Sequence, residues 1–322
     1  MTRAGGFAYG PVPSRRLGAS LGVDVVPMKR CTYDCVYCQL GPTTTLTCER
    51  TAFYPVEAVA ADVEEKLSSG PVPDVITVAG SGEPTLYAEL GALIDRLKRL
   101  SRVPVALLTN GALFHLDDVR RDAARADLVL PSLDAGDEAM FQRVNRPAPG
   151  LSLARVVEGL EAFRREYRGP IWLEVMVLGG LTDAPREASA IARLAERVAP
   201  DRIQLNTPAR PAFEASAVPV AAERLEGLCG VFSPEAEAVA EWRDAGRGAE
   251  GAGLPDEGAL LRLLLRRPCT VEQIASALGS RPNAVIKALA GLERAGRAHR
   301  VVSRGRVFWH APGGAGDEGG GA

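Results

Sequence analysis

Lysine is almost missing from this chain. Of 38 basic residues in 322, only Lys29, Lys66, Lys98 and Lys287 are lysine, so amine chemistry near the N-terminus has to use Lys29. The remainder are arginine, and with the wealth of Ala, Gly and Pro this reads as the codon usage of a GC-rich genome. A strong charge of either sign is lacking as well. The formal net charge of −2 gives no whole-chain reason to expect nucleic acid or an acidic membrane as partner. No apolar run approaches the ~18 residues needed to cross a bilayer. The opening MTRAGGFAYGPVPSRRLG has no apolar core of the ~7–15 residues that a secretory signal needs. The expectation is a cytoplasmic protein without a membrane partner. With 46% hydrophobic and 24% charged residues, the chain has an ordinary globular composition, long enough for one large domain or a large and a small one.

Cysteine is scarce but concentrated. Three of the six fall in KRCTYDCVYCQLG, as Cys31, Cys35 and Cys38, and Cys48 follows ten positions later. Cys229 and Cys269 stand apart. A secreted disulfide scaffold would be shorter and would spread its cysteines more evenly. Clustering in a chain of this length points to metal or redox chemistry.

From about residue 20 to 206, strand-like apolar runs alternate with amphipathic stretches. The strands are expected at 21–26, 74–80, 103–110, 126–133, 171–178 and 201–207. Helices are expected at 55–67, 88–100, 116–124, 152–167 and 185–198, where apolar residues recur at helical spacing, as at Leu90, Leu93, Ile94, Leu97 and Leu100. Strands buried on both faces and separated by helices predict a parallel sheet with right-handed crossovers. Six such units predict an α/β fold, a partial (β/α)6 barrel of TIM type, with a doubly wound open sheet as the alternative. In either, the loops leaving the strand C-terminal ends build the site. Cys31–Cys38, Gly82 and Glu83, Asn110 and Gly111, and Asp134 follow four successive strands.

The expected domains are 1–243 as the core, 244–254 (DAGRGAEGAGL) as a flexible linker, 255–312 as a second domain, and 313–322 as a disordered tail. The second domain reads as helix, helix, helix and two strand-like runs, the layout of a winged helix-turn-helix. Between Leu254 and Pro312 ten Lys and Arg stand against four Asp and Glu. Its third helix offers Arg281, Asn283, Lys287 and Arg294. RNA or DNA contact through this domain and a protein-docking or lid role are both open.

Thiolates are the soft ligands that iron–sulfur clusters require. A four-iron cluster on three closely spaced thiolates keeps one iron without a protein ligand, open to chelation by a small molecule. A zinc site with Cys48 as fourth ligand is the competing reading, although Cys-x3-Cys-x2-Cys is not a usual pair of zinc knuckles. Small residues in AGSGEPTL (79–86) permit close backbone approach. Asn110 follows the third strand in a Thr109-Asn110-Gly111 turn. Asp134 reads equally as a hydrogen-bond acceptor or general base near substrate and as a cap for the next helix.

The cysteine spacing, with Tyr37 as the aromatic residue before the last cysteine, resembles the radical S-adenosylmethionine superfamily. That resemblance implies a [4Fe-4S] cluster on Cys31, Cys35 and Cys38, with S-adenosylmethionine chelating the open iron. Reductive cleavage would then give a 5′-deoxyadenosyl radical that abstracts hydrogen from substrate. It also implies an electron donor such as flavodoxin or ferredoxin. Gly80, Ser81, Gly82 and Glu83 stand where the superfamily's Gly-Gly-Glu-type motif binds the cofactor's amino group, with serine at the central glycine. Asn110 has amide groups that could hydrogen-bond a ribose hydroxyl, and Thr109 stands with it among the cofactor-binding candidates.

Taken together, GPVPSRRLGASLGVDVVPMKRCTYDCVYCQLG, GEPTL, LLTNGAL, SLDAGDEAMFQRVNRP and IQLNTPARP resemble the tRNA wybutosine-synthesis oxidoreductases over about residues 7–240. By that resemblance Gln204, Asn206 and Arg210 would line the cofactor or substrate cavity. Arg15, Arg16 and Arg146 become candidates for an anionic substrate, because guanidinium matches phosphate and carboxylate; a solvated surface is the plainer alternative for each. Lys29 could form a carbonyl adduct, and a surface lysine is again the plainer alternative. No cysteine precedes Cys31, so the second cluster of the wybutosine enzyme is not expected, nor is a flavodoxin domain read here. An iron–sulfur redox or iron-sensing regulator acting on nucleic acid through the winged helix is the alternative function.

Overall fold

The computed structural model describes residues 6–239, 254–303 and 305–312. The chain opens with an antiparallel hairpin, β1 (Ala8–Ser14) and β2 (Gly18–Val23), that pairs Val12 with Ser20. Two short strands follow in the cysteine region, β3 (Arg30–Cys31) and β4 (Thr45–Leu46). Next come α1 (Val56–Ser69), β5 (Val75–Val78), α2 (Leu90–Leu100), β6 (Val105–Thr109), α3 (Asp117–Ala123) and β7 (Leu128–Pro131). The alternation continues through α4 (Glu138–Val144), α5 (Leu153–Glu166), β8 (Trp172–Met176), α6 (Pro185–Val198) and β9 (Arg202–Asn206).

β2, β5, β6 and β7 are parallel neighbours in that order, with β1 on the outer edge. β8 and β9 form a second parallel pair, extended by β10 (Glu237–Ala238) beyond α7 (Ala222–Gly227). Parallel bridges Val129–Ile171 and Ser132–Glu174 join β7 to β8. The six expected strands therefore follow one another in chain order, each within the expected span or a few residues from it.

Period-two alternation explains why both faces are buried. Ile76, Val78, Val105, Leu107, Val129, Leu173, Val175, Ile203 and Leu205 point into the main core with the helices. Val75, Ala106 and Leu130 point the other way and pack with Leu17, Leu108, Leu128 and Trp172. On the helix side, α2 buries Leu90, Leu93, Ile94 and Leu97 at the spacing of one helical face. Phe163 of α5 stacks between Phe114 and Tyr167, at 4.4 and 4.9 Å between ring centres.

Residues 244–253 of the expected linker and the expected disordered tail 313–322 lie outside the described residues. The C-terminal part carries α8 (Glu257–Arg266), α9 (Val271–Leu278), α10 (Pro282–Arg294) and a hairpin of β11 (His299–Ser303) with β12 (Arg306–His310). α9 starts in a capping box of Thr270 and Gln273 and ends at Gly279 in the left-handed conformation, as such termini favour. Leu260, Leu263, Leu264, Ile274, Val285, Leu289 and Trp309 form the core of this unit, which also takes in Val12 of β1. The unit is thus seated on the N-terminal hairpin. Among the described residues no helix is long and apolar enough to cross a membrane.

Candidate active site

β2 ends at Val23, and the next residue, Asp24, is wholly buried. The chain then turns through Lys29, whose φ of 58° is unusual for a side-chain-bearing residue. The surroundings hold it there: Lys29 N–H donates to the Ser81 carbonyl at 2.7 Å, and its own carbonyl accepts from Thr44 and Thr45 at 3.1 Å each. Beyond it the cysteine loop is stitched to the end of α4. Asp34 N–H bonds the Asn145 carbonyl, Val36 N–H the Val144 carbonyl, and Ala148 N–H the Thr32 carbonyl. Tyr33 packs edge-on against Phe141.

Each of the three half-buried thiols meets its own N–H donor. Lys29 Nζ is 3.1 Å from Cys38 Sγ, Asn110 Nδ2 is 3.7 Å from Cys31 Sγ, and Asn145 Nδ2 is 3.6 Å from Cys35 Sγ. Burial and then the Glu83 carboxylate push the Cys31 thiol up to about 12. Burial, followed by the charge of Cys31, raises Cys35 as well. Cys31 and Cys35 lie within electrostatic reach of each other, and both are held above the ordinary thiol value. Cys48 belongs elsewhere: burial raises it, and its charged neighbour is Arg155. Among the described residues no three His, Cys, Asp or Glu groups are arranged to hold a single metal ion.

Glu83 ties two strand-end loops together. Its Oε1 accepts from Thr85 N (3.0 Å), Thr85 Oγ1 (2.7 Å) and Thr109 Oγ1 (2.6 Å), and its Oε2 from Asn110 N (2.8 Å). Burial raises its pKa and these four bonds pull it back. The glycines before it have no room for a side chain: a Cβ on Gly82 would stand 2.0 Å from the Arg30 carbonyl oxygen, and one on Gly80 2.2 Å from Asp24 Oδ1. Ser81, between them, donates its N–H and its hydroxyl to Asp24 at 3.2 and 2.6 Å. Overpacking against fixed backbone costs about 1–3 kcal/mol. Gly82→Ala should lose that much in urea unfolding while Gly227→Ala, whose added Cβ meets nothing within 4 Å, changes little.

Asp134 lies on the far side of the thiols. It accepts from Tyr37 Oη (2.6 Å), Asn145 Nδ2 (2.8 Å) and Met176 N (2.9 Å). Burial raises its pKa against these bonds. It does not cap the next helix; Asp137 does, accepting from Met140 N. Lys29 is not a surface lysine either, being 5% exposed. Asn110 spends its amide on Thr32 Oγ1 (2.7 Å) and Cys31, and its carbonyl oxygen on Ala112 N.

The sequence-derived residues therefore fall into linked groups. Cys31, Glu83, Thr109 and Asn110 form one, Cys35, Tyr37 and Asp134 a second, and Cys38 with Lys29 a third, joined to the Gly80–Ser81 loop by the Lys29 backbone. Gln204 and Asn206 sit further along β9. Asn206 accepts from Arg15 (2.8 Å) and donates to Glu174 (3.0 Å), while Gln204 Oε1 is buried without a partner among the described residues. Arg15 and Arg16 are not solvated surface groups: both are partly buried, and Arg16 pairs with Glu174. Arg146 is exposed and pairs with Glu214. Arg281, Asn283, Lys287 and Arg294 are exposed on or beside α10. Asp24, Asn145 and Glu174 went unread. A lone carboxylate inside an apolar strand was the available signal for Asp24 and Glu174.

The match to family models agrees with this arrangement. The chain belongs to the radical SAM superfamily, whose model matches residues 25–191, over half of the chain. Its cofactors are accordingly a [4Fe-4S] cluster and S-adenosylmethionine. Within the superfamily it is one of the UPF0026 proteins. It is 38% identical over 230 residues to a UPF0026 protein of Methanocaldococcus jannaschii, covering 70% of this chain and 71% of that one. It is 32% identical over 277 residues to a UPF0026 protein of Helicobacter pylori strain J99, covering 83% and 86%. A protein of Brachyspira hyodysenteriae named GTPase Obg is 35% identical over 298 residues, 92% of this chain but only 44% of that protein. The chain thus spans less than half of that relative, and having no Gly-Lys pair it contains no P-loop of the G-x4-G-K-[ST] kind. Among solved structures, a radical SAM methyltransferase from Sphaerobacter thermophilus superposes with a TM-score of 0.48 at 18% identity, over 81% of this chain and 69% of that one.

Proposed function

We propose that this chain is a radical enzyme acting on an anionic substrate, RNA among the candidates, and that Cys31, Cys35 and Cys38 hold its cluster. The observation that carries this reading is the provision of a separate N–H donor for each of three neighbouring thiols, with nothing comparable for Cys48 among the described residues. N–H donors to coordinated sulfur stabilise charge and help set a cluster's potential. When bound, cluster and cofactor supply one-electron cleavage of a sulfonium and, through it, hydrogen-atom abstraction.

The protein's own groups do the positioning. Glu83 Oε2 has accepted one hydrogen bond where Oε1 has accepted three, which leaves it able to receive an ammonium donor. Gly80 and Gly82 let the backbone approach. Gln204 Oε1, a buried acceptor without a donor, fits an amide-like or hydroxyl donor of the cofactor. Lys29 serves as the charged donor to Cys38 rather than as a carbonyl-trapping amine, and Asp134 holds Tyr37 against the loop. We read the six consecutive parallel strands as a partial barrel, and the three helices and hairpin as a winged helix-turn-helix whose α10 turns Arg281, Lys287 and Arg294 outward. The motif likeness to the wybutosine enzymes supports an RNA substrate.

Anaerobic reconstitution should give about four irons per chain. Dithionite with S-adenosylmethionine should then release 5′-deoxyadenosine, and RNA incubated in the same mixture should show an altered nucleoside by mass spectrometry. Iron-replete protein that never cleaves the cofactor would overturn the proposal.

A further inference from the structure

Opposite the helix-packed face of the sheet, a cavity of about 180 Å³ lies between the strands and the C-terminal unit. Ser20, Thr77 and Leu108 line it from β2, β5 and β6, and Gln273 from α9. Five arginines surround it, Arg15, Arg16, Arg210, Arg267 and Arg306, while no Asp or Glu is among its lining residues. Arg16 has Glu174 behind it and Arg15 has Asn206. Arg210 and Arg267 differ. Arg210 Nε and Arg267 Nε and Nη2 are buried with no hydrogen-bond partner among the described residues. Burial first, then the neighbouring Arg267, lowers Arg210 to about 9.

Like charges converging in a partly buried space, with buried donors unsatisfied, are costly unless an anion joins them. A carboxylate offers two oxygens in one plane and suits a single guanidinium fork. A phosphate presents oxygens in several directions and can accept from forks on two sides. The volume is below the ~300 Å³ at which pockets enclose a whole drug-sized ligand, so it fits one anionic group of a larger molecule. Ala79, on its wall, directly precedes the Gly80–Glu83 loop, which places that group beside the proposed reaction centre.

We propose that this cavity binds a phosphate group of the substrate, held between Arg210, from the segment after β9, and Arg267, from the turn after α8. The assignment of that phosphate to the substrate rests on the radical reading above; the binding itself does not. It also gives the C-terminal unit a place in the site, since Arg267 carries two of the pair's three buried nitrogens that have no partner among the described residues.

The test is isothermal titration of the full chain, prepared without iron, with inorganic phosphate and with acetate at fixed ionic strength. Phosphate should bind saturably at one site, and acetate more weakly. Loss of a charge-assisted donor should weaken phosphate about tenfold or more in Arg210→Gln and in Arg267→Gln, with Arg99→Gln, exposed on α2, unchanged as control. Arg267→Lys, which keeps the charge but loses the fork, should fall between, and melting curves of each variant confirm the fold. No saturable phosphate binding, or binding indifferent to both arginine changes, overturns the proposal. Phosphate binding without 5′-deoxyadenosine formation in the reconstituted enzyme would count against the radical reading alone. The reverse pattern would remove this inference alone.

Discussion

Alanine at Cys31, Cys35 or Cys38 should reduce 5′-deoxyadenosine formation to background, and should do so equally at all three positions. The reason is geometric before it is chemical. The loop from Cys31 to Cys38 is pinned by backbone bonds to the end of α4 and to Thr47, and each thiol has a dedicated donor arriving from a different element: Lys29, Asn110 after β6, and Asn145 after α4. No spare thiol stands ready to substitute, because Cys229 and Cys269 are buried in other parts of the core and Cys48 has Arg155 as its charged neighbour. Metal ligation requires deprotonated sulfur, and binding energy is shared among the ligands, so losing one should cost the whole cluster rather than a third of it. Iron per chain, absorbance near about 400 nm and adenosyl product should fall together. Cys48→Ala should retain all three. Product from any of the trio's variants at more than trace yield would remove Cys31, Cys35 and Cys38 from the role proposed for them.

The strand–helix alternation and the cysteine trio were legible because both are local. Period-two burial writes itself into four or five residues, and three cysteines in eight positions need no fold to be seen. β1 was missed for an equally local reason: AYGPVPS carries two prolines, which argue against a central strand, and the structure puts it at the sheet edge with a register shift between Tyr9 and Val12. What the sequence could not show is pairing across distance. Asn145 reaches Cys35 over 110 positions and Arg266 reaches Asp24 over 242. Both partners looked like ordinary polar residues until the crossovers brought them together.

That last pair carries the other large expected effect. Arg266 Nε lies 3.3 Å from Asp24 Oδ2, with side-chain exposures of 6% and 0%. The same carboxylate receives both Ser81 donors. One buried ion pair therefore fastens the C-terminal unit to the loop that precedes Glu83. Arg266 has further supports, since it donates to the Gly6 carbonyl at 2.9 Å and lies 5.0 Å from the centre of the Tyr9 ring. Removing one member of a buried pair leaves an uncompensated charge and costs about 3–5 kcal/mol. Arg266→Ala should fall in that range, because Asp24 is the more deeply buried partner. Asp24→Asn should cost less, because the arginine keeps Gly6 and the Tyr9 ring and the amide still meets the Ser81 hydroxyl. The double variant should recover part of the Arg266→Ala loss, since the amide at position 24 carries no charge. Urea unfolding of the full chain measures all three. A loss below about 1 kcal/mol for Arg266→Ala, the level of an exposed pair, would mean that the C-terminal unit is not anchored to the cofactor loop through Asp24.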